Sequence, residues 1–326
     1  MRFLNSKWCP ICIGIVAMVM ILSSLMAPAA PEEPVLPHIA SYREYDDWAA
    51  PANRDIPTDE KGDLIRYGKE LIVNTSKYLG PRGWVAQISN GMNCQNCHLD
   101  GGSRAYGNPF SAVASSYPRY RHRSGRIESV EFRINDCMQR SLNGKTLDSN
   151  SYEMRAMVAY LNWMGRDVPK DVRPKGGGVA PLQYLERAAD PEKGKIIYAL
   201  KCQRCHGANG EGALIAGANS FTYPPLWGDQ SYNVSAGLYR LSSLAGFIKS
   251  NMPFGVTADR PELSDEEAWD VAAYISTRER PMVVFPGDWP DISKKPVDAP
   301  FGPYADPFSE QQHKLGPFRP IKKAGR

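Results

Sequence analysis

The side chains best equipped for chemistry in this 326-residue chain are its 7 cysteines and 5 histidines. Two runs have the order Cys-x-x-Cys-His: Cys94, Gln95, Asn96, Cys97, His98 and, about a hundred residues later, Cys202, Gln203, Arg204, Cys205, His206. Two thiols at that spacing can add to the two vinyl groups of one haem, and the imidazole that follows can reach the iron. Two covalent haems c are therefore expected. The competing reading is a pair of zinc or redox Cys-x-x-Cys motifs, each followed by a chance histidine. With so few cysteines and histidines, two full coincidences in one chain argue strongly against it.

A six-coordinate haem c also needs a ligand on its other face, usually His or Met. The histidines outside the motifs are His38, His122 and His313. In the second half the run Phe247, Ile248, Lys249, Ser250, Asn251, Met252, Pro253, Phe254, Gly255 fits a ligand loop, with Met252 46 residues after His206 and 22 before Tyr274. A thioether there raises the reduction potential relative to a second imidazole, which suits an electron exit. Lys249 is the less favoured ligand, since an amine must first lose its proton, and the bland reading has Met252 filling a core gap. The same ruler laid back from Tyr160 lands on Met138 at 22 residues and Cys137 at 23. Cys137 is also the odd cysteine, left over once four hold haem and Cys9 and Cys12 go with the N-terminal leader. Three alternatives stay open: Met138 as a thioether ligand, His122 as a second imidazole, and Cys137 as a small buried hydrophobe. Upstream lies a dense basic run, Arg119, Arg121, Arg123 and Arg126, with Arg133 and Arg140 beyond it and only Glu128 and Glu131 in partial offset.

The elements that must position these groups read as a repeat. Before each motif lies a helix-like segment with a glycine in a similar setting, Gly68 within Tyr67–Ile72 and Gly194 within Lys193–Tyr198. After each comes a helix with aromatics on its apolar face. One runs from about Ser151 through Met154, Met157, Tyr160 and Trp163. The other runs from about Asp265 through Trp269, Ala272 and Tyr274, with Ser264 and Glu267 spaced as a capping box. The arrangement resembles the class I cytochrome c fold twice over, which implies a mainly α protein of two tandem domains whose first and last helices cross at that glycine. The longer gap from Gly68 to Cys94 predicts an inserted loop at 74–93. The expected boundaries are a signal at 1–30, domain 1 at 31–170, a Pro/Gly-rich linker at 171–181, domain 2 at 182–280 and an extended Pro/Gly-rich tail wrapped over them at 281–326.

Arg2, Lys7, an apolar run from Trp8 to Met26 and small residues around Ala27–Ala30 have the order of a secretory signal, expected to be cleaved near Ala29 or Ala30. An uncleaved anchor is the alternative, since the run is long for a signal, although Pro10, Ser23 and Ser24 weaken it as a helix. Either way a periplasmic location is expected. The formal net charge of +4 is too small to imply nucleic-acid binding.

The run Arg133, Ile134, Asn135, Asp136, Cys137, Met138, Gln139, Arg140, Ser141, Leu142, Asn143, Gly144, followed by Glu153, Met154 and Arg155, resembles the thiosulfate dehydrogenases, dihaem cytochromes of the periplasm. The resemblance covers about residues 60–280, and its most specific element is Arg-x-x-x-Cys between two class I haem motifs. It implies an enzyme joining two thiosulfates into tetrathionate with release of two electrons, some members favouring the reverse. By the same resemblance Cys137 ligates the first haem opposite His98, Met252 ligates the second opposite His206, and Arg123 and Arg133 bind substrate. It further implies that Cys137 leaves the iron in turnover to form an S-thiosulfonate, and that electrons pass through the second haem to a soluble or membrane-linked cytochrome c. Both substrates are dianions, for which guanidinium groups are apt partners, and two or three arginines of the cluster are expected to touch them. Some members carry a lysine just before the methionine and exchange ligands with redox state; this chain departs from them with Asn251. A cytochrome c4-type electron carrier would put Met on both irons, so Cys137 and the arginines speak against it. A Sox-like haem subunit would need a partner chain. A dihaem peroxidase would need a displaceable histidine.

Overall fold

The computed structural model describes residues 43–45, 48–218 and 220–325. The signal-like stretch, Cys9, Cys12 and His38 lie outside the described residues. Among those described, no helix is long and apolar enough to cross a membrane.

Two helical repeats carry the architecture. In the first, α1 (Glu60–Val73) starts at Asp59, whose carboxylate accepts from the Gly62 N–H at 2.9 Å. It buries Ile65, Gly68, Leu71 and Ile72. α2 (Val130–Arg140) starts at Ser129 and α3 (Tyr152–Met164) at Ser151, each hydroxyl accepting from the backbone three residues on. In the second repeat α4 (Pro191–Lys201) follows an Asp190 cap with proline in its first turn. α5 (Leu241–Asn251) buries Leu241, Leu244, Phe247 and Ile248, and α6 (Asp265–Ser276) opens on the capping box expected from Ser264 and Glu267.

The predicted crossings are present, and their geometry repeats. A Cβ on Gly68 would stand 1.9 Å from the Ala156 carbonyl oxygen and 2.9 Å from Tyr160 Cβ. One on Gly194 would stand 1.9 Å from the Asp270 carbonyl oxygen and 2.9 Å from Tyr274 Cβ. Only glycine lets α1 meet α3, and α4 meet α6, at these distances. Around the crossings are two cores. One is built on Ile65, Leu71, Met154, Met157 and Tyr160; the other is built on Tyr198, Leu244, Trp269, Ala272 and Ile275.

Sheet structure is minor. β1 (Arg43–Tyr45) runs parallel to β4 (Val172–Pro174), and β2 (Arg119–Arg121) forms a hairpin with β3 (Arg126–Glu128), Arg121 facing Arg126. Two expectations, the inserted loop and the extended tail, need correction. The insertion at 74–93 is not all loop: it opens on a helical turn, Thr75–Leu79, and the Thr75 hydroxyl accepts from the Cys94 N–H at 3.0 Å, tying the insertion to the first motif. In the 171–181 linker the Gly176 and Gly178 carbonyls accept from the Tyr106 and Asn108 N–H groups. The tail is not wholly extended. It ends in α7 (Glu310–Leu315) and α8 (Phe318–Ala324), which bury Leu315, Phe318 and Ile321 in the second core. Helices of six and seven residues broken at Gly316–Pro317 are too short to display a period.

Candidate functional site

Each motif lies against its own apolar cavity. Cys94, Cys97 and His98 line one of about 150 Å³. Cys202, Cys205 and His206 line another of about 300 Å³. The histidines are prepared alike: His98 Nδ1 bonds the Asn108 carbonyl at 2.6 Å and His206 Nδ1 the Pro224 carbonyl at 2.9 Å. A carbonyl only accepts, so each Nδ1 holds the proton and each Nε2 keeps the lone pair an iron needs. Burial pulls the His98 imidazole down to about 4 and lowers His206 as well, which keeps both neutral. His98 also stacks on Phe110 at 4.5 Å. In the second cavity's wall the Tyr232 hydroxyl is buried with no hydrogen-bond partner among the described residues, a vacant polar contact that suits a group carrying carboxylates. Thiol pairs, neutral imidazoles and apolar walls all fit haem. Asn93 and Cys97 line both cavities, so the first motif forms part of the wall between them.

Helix α2 brings the next groups in. Arg133 and Cys137, one turn apart on the same face, both line the first cavity, as does Met138. Coulombic attraction to the Cys137 sulfur, when that sulfur is charged, is the largest influence on Arg133, outweighing burial and raising its guanidinium. His122 does not line that cavity; it meets Tyr120 edge-on at 5.4 Å on the β2–β3 hairpin. Met252, at the C-terminus of α5, lines the second cavity. Lys249 does not, its Nζ being spent on the Leu263 carbonyl at 2.7 Å and the Asp265 carboxylate at 2.8 Å. His313 is buried in the tail, bonded to Val297 and Asp306.

Of the arginines at 119, 121, 123, 126 and 133, Arg133 alone lines the first cavity. Arg123, which the resemblance makes a substrate-binding group, does not line that cavity and is tied to Asp288 at 2.8 Å and to the Ser235 carbonyl at 2.7 Å. The reason is its place at the hairpin's end, against the tail, whereas Arg133 rises from the helix that walls the cavity. Sequence reasoning missed the groups that join the two. Asp136 pairs with both Arg133 and Arg140, and Arg140 donates to both Asp288 oxygens at 2.7 Å. Burial would raise Asp136, but Arg133, Arg140 and Arg123 outweigh it and hold the carboxyl low. One of four aspartates in a tail of prolines and aromatics, Asp288 gave no signal of this role.

Tandem class I repeats, each with an attachment motif and a prepared proximal imidazole, define a dihaem cytochrome c, and the protein carries two covalent haems c. Comparison with known proteins narrows the class. Residues 80–169 match the SoxA/TsdA cytochrome c domain and residues 191–279 match cytochrome c. The chain is 42% identical over 243 residues to the thiosulfate dehydrogenase of Psychrobacter arcticus, covering 74% of this chain and 71% of that one. It is 39% identical over 236 residues to that of Allochromatium vinosum, covering 71% and 84%. The structure of Marichromatium purpuratum thiosulfate dehydrogenase TsdBA, in its as-isolated form, superposes with a TM-score of 0.66 at 35% identity over 72% of this chain, and the match spans 50% of that chain. This chain belongs to the thiosulfate dehydrogenase family.

Proposed function

We propose that this protein interconverts thiosulfate and tetrathionate, joining two thiosulfates with release of two electrons in the oxidative direction. One observation carries the reading: Arg133 and Cys137 open, from one helix face, on the cavity that holds Cys94, Cys97 and His98. Asp136 engages Arg133 Nη1 and leaves Nε and Nη2 for sulfonate oxygens. The Cys137 thiolate forms an S–S bond with the outer sulfur of one thiosulfate as two electrons leave, giving a cysteine S-thiosulfonate of single negative charge. A second thiosulfate attacks the sulfur bonded to Cys137. That S–S bond breaks, its electron pair returns to Cys137 as thiolate, and tetrathionate departs with two negative charges. No proton moves. When bound, the haems supply the one-electron acceptors for the pair.

In this reading Cys137 and His98 would hold the first iron, and Met252 and His206 the second; the bonds of Lys249 to Leu263 and Asp265 support Met252 over it. The wall shared through Asn93 and Cys97 favours passage of electrons from the first site to the second and on to an external cytochrome c, soluble or membrane-linked. The order of charged, apolar and small residues at the N-terminus supports export to the periplasm, with or without retention as an anchor. The test is purified holoprotein given thiosulfate with ferricyanide, and tetrathionate with reduced viologen. Turnover in one or both directions, lost in Cys137→Ala with both haems still attached, is expected. A protein inert in both assays would be an electron carrier.

A further inference from the structure

Asp288 lies in the tail, far in sequence from both motifs, yet it closes a chain of ion pairs that begins at the Cys137 cavity. Five groups alternate in sign: Arg133, Asp136, Arg140, Asp288, Arg123. Arg140 sits at the centre. Its side chain is 8% exposed, its Nε donates to Asp136 Oδ1, and its two terminal nitrogens donate to the two Asp288 oxygens. A guanidinium at that depth must be matched by carboxylates. Because Asp288 satisfies one side of it, Asp136 is free to give its second oxygen to Arg133, the one arginine of the cluster that lines the cavity.

The tail holds Asp288 in place by independent contacts. Phe285 lies under the Arg140 guanidinium at 3.8 Å, and the Trp289 N–H donates to the Arg123 carbonyl at 2.6 Å. Pro290 closes on Gly125 in the hairpin turn, where a Cβ would stand 2.5 Å from its ring. Asn233 adds a further clamp: its N–H and its side-chain amide donate to the Arg140 and Gln139 carbonyls at 3.1 and 2.8 Å, at the C-terminus of α2.

We propose that Asp288 is a positioning residue for the substrate dianion, acting through Arg140 and Asp136 to hold Arg133 toward the Cys137 cavity. The inference rests on the thiosulfate reading. Without Asp288, Arg140 draws on both oxygens of Asp136, and Arg133 loses the tether at Nη1.

A double-mutant cycle on the holoprotein tests it, using Asp288→Asn, Arg133→Ala and the pair. Asp288→Asn is expected to raise KM for thiosulfate roughly tenfold, the scale of one charge-assisted contact. In the Arg133→Ala background the same change is expected to add less than about twofold, because the group it acts through is gone. Arg140→Lys keeps the charge but loses the paired geometry, and it serves if Asp288→Asn does not fold; its effect is likewise expected to vanish in the Arg133→Ala background. The midpoint potential of the first haem, titrated in the same proteins without substrate, is the second readout. It is expected to rise in Asp288→Asn, which loses a negative charge, and to rise by a different amount when Arg133 is Ala. Additive effects on KM and on the potential would show Asp288 to be a tail anchor only and overturn the inference. Absence of thiosulfate turnover in the unaltered protein defeats the thiosulfate reading instead, and the potential cycle then still decides whether Asp288 acts through Arg133.

Discussion

The two cavities begin alike and finish differently. Each has a thiol pair, an imidazole held by a backbone carbonyl, and a glycine crossing with the same 1.9 Å approach. The difference lies in the helix that closes the far side. α5 carries a single charged residue, Lys249, which does not line the cavity, and delivers Met252 at its end, into a wall of Leu244, Phe247 and Ile248. α2 carries Arg133, Asp136 and Arg140 and presents Cys137 within its last turns, beside Arg133. The scaffold that seats a haem and the helix that decides what the site does are thus separable. A helix that sets no charge on its cavity leaves a site suited to electron passage, and a charged one adds a soft nucleophile and a fixed cation for an anion to meet.

Substitutions can break or sharpen this contrast. The largest effect is expected from Cys137→Ala, which should abolish thiosulfate and tetrathionate turnover with both haems retained by mass. Its counterpart Met252→Gly should lower the potential of the second haem while leaving thiosulfate affinity within about twofold. Redox titration beside steady-state kinetics checks both, and a Met252→Gly protein with an unaltered second potential would remove the contrast. Arg133→Ala comes next, with a loss of roughly 10- to 150-fold in kcat/KM from one charge-assisted contact. The shared scaffold predicts equality where the helices predict difference. Gly68→Ala and Gly194→Ala should each cost about 1–3 kcal/mol, the forced separation of packed backbones outweighing the helix propensity gained. Denaturant unfolding of the two variants measures this, and a marked inequality would mean the crossings are not equivalent. The smallest effect belongs to Arg126→Ala. This exposed arginine rests on Phe132 at 4.0 Å outside the cavity, and kcat/KM should stay within about twofold.

What could be read ahead of the structure follows from the range of the interaction involved. Haem attachment needs five consecutive residues, and the glycine crossings need a missing side chain opposite an aromatic, so both leave local marks at Cys94–His98, Cys202–His206, Gly68 and Gly194. The gathering of Arg133 and Cys137 was legible because one helical turn separates them. Telling Arg123 from Arg133 was not, since residue type is the same and only the hairpin and helix beneath them differ. The pairing of Arg140 with Asp288 spans 148 positions and rests on a loop whose path no local pattern encodes. α7 and α8 were hidden for a related reason, since their stability comes from Leu315, Phe318 and Ile321 entering the second core and not from a periodicity of their own.

The strap formed by Phe285, Asp288 and Pro290 also orders events in time. The helix bearing Cys137 is made before the second repeat, but the carboxylate that pairs with Arg140 arrives after it. As the polypeptide emerges, the first haem site can receive its thiols and imidazole early, while its ionic half stays incomplete until the whole second repeat has followed. A chain cut short before Asp288 would hold both motifs and still leave Arg140 without half of its counter-charge. In this protein, finishing the first domain is the work of a segment made after the second.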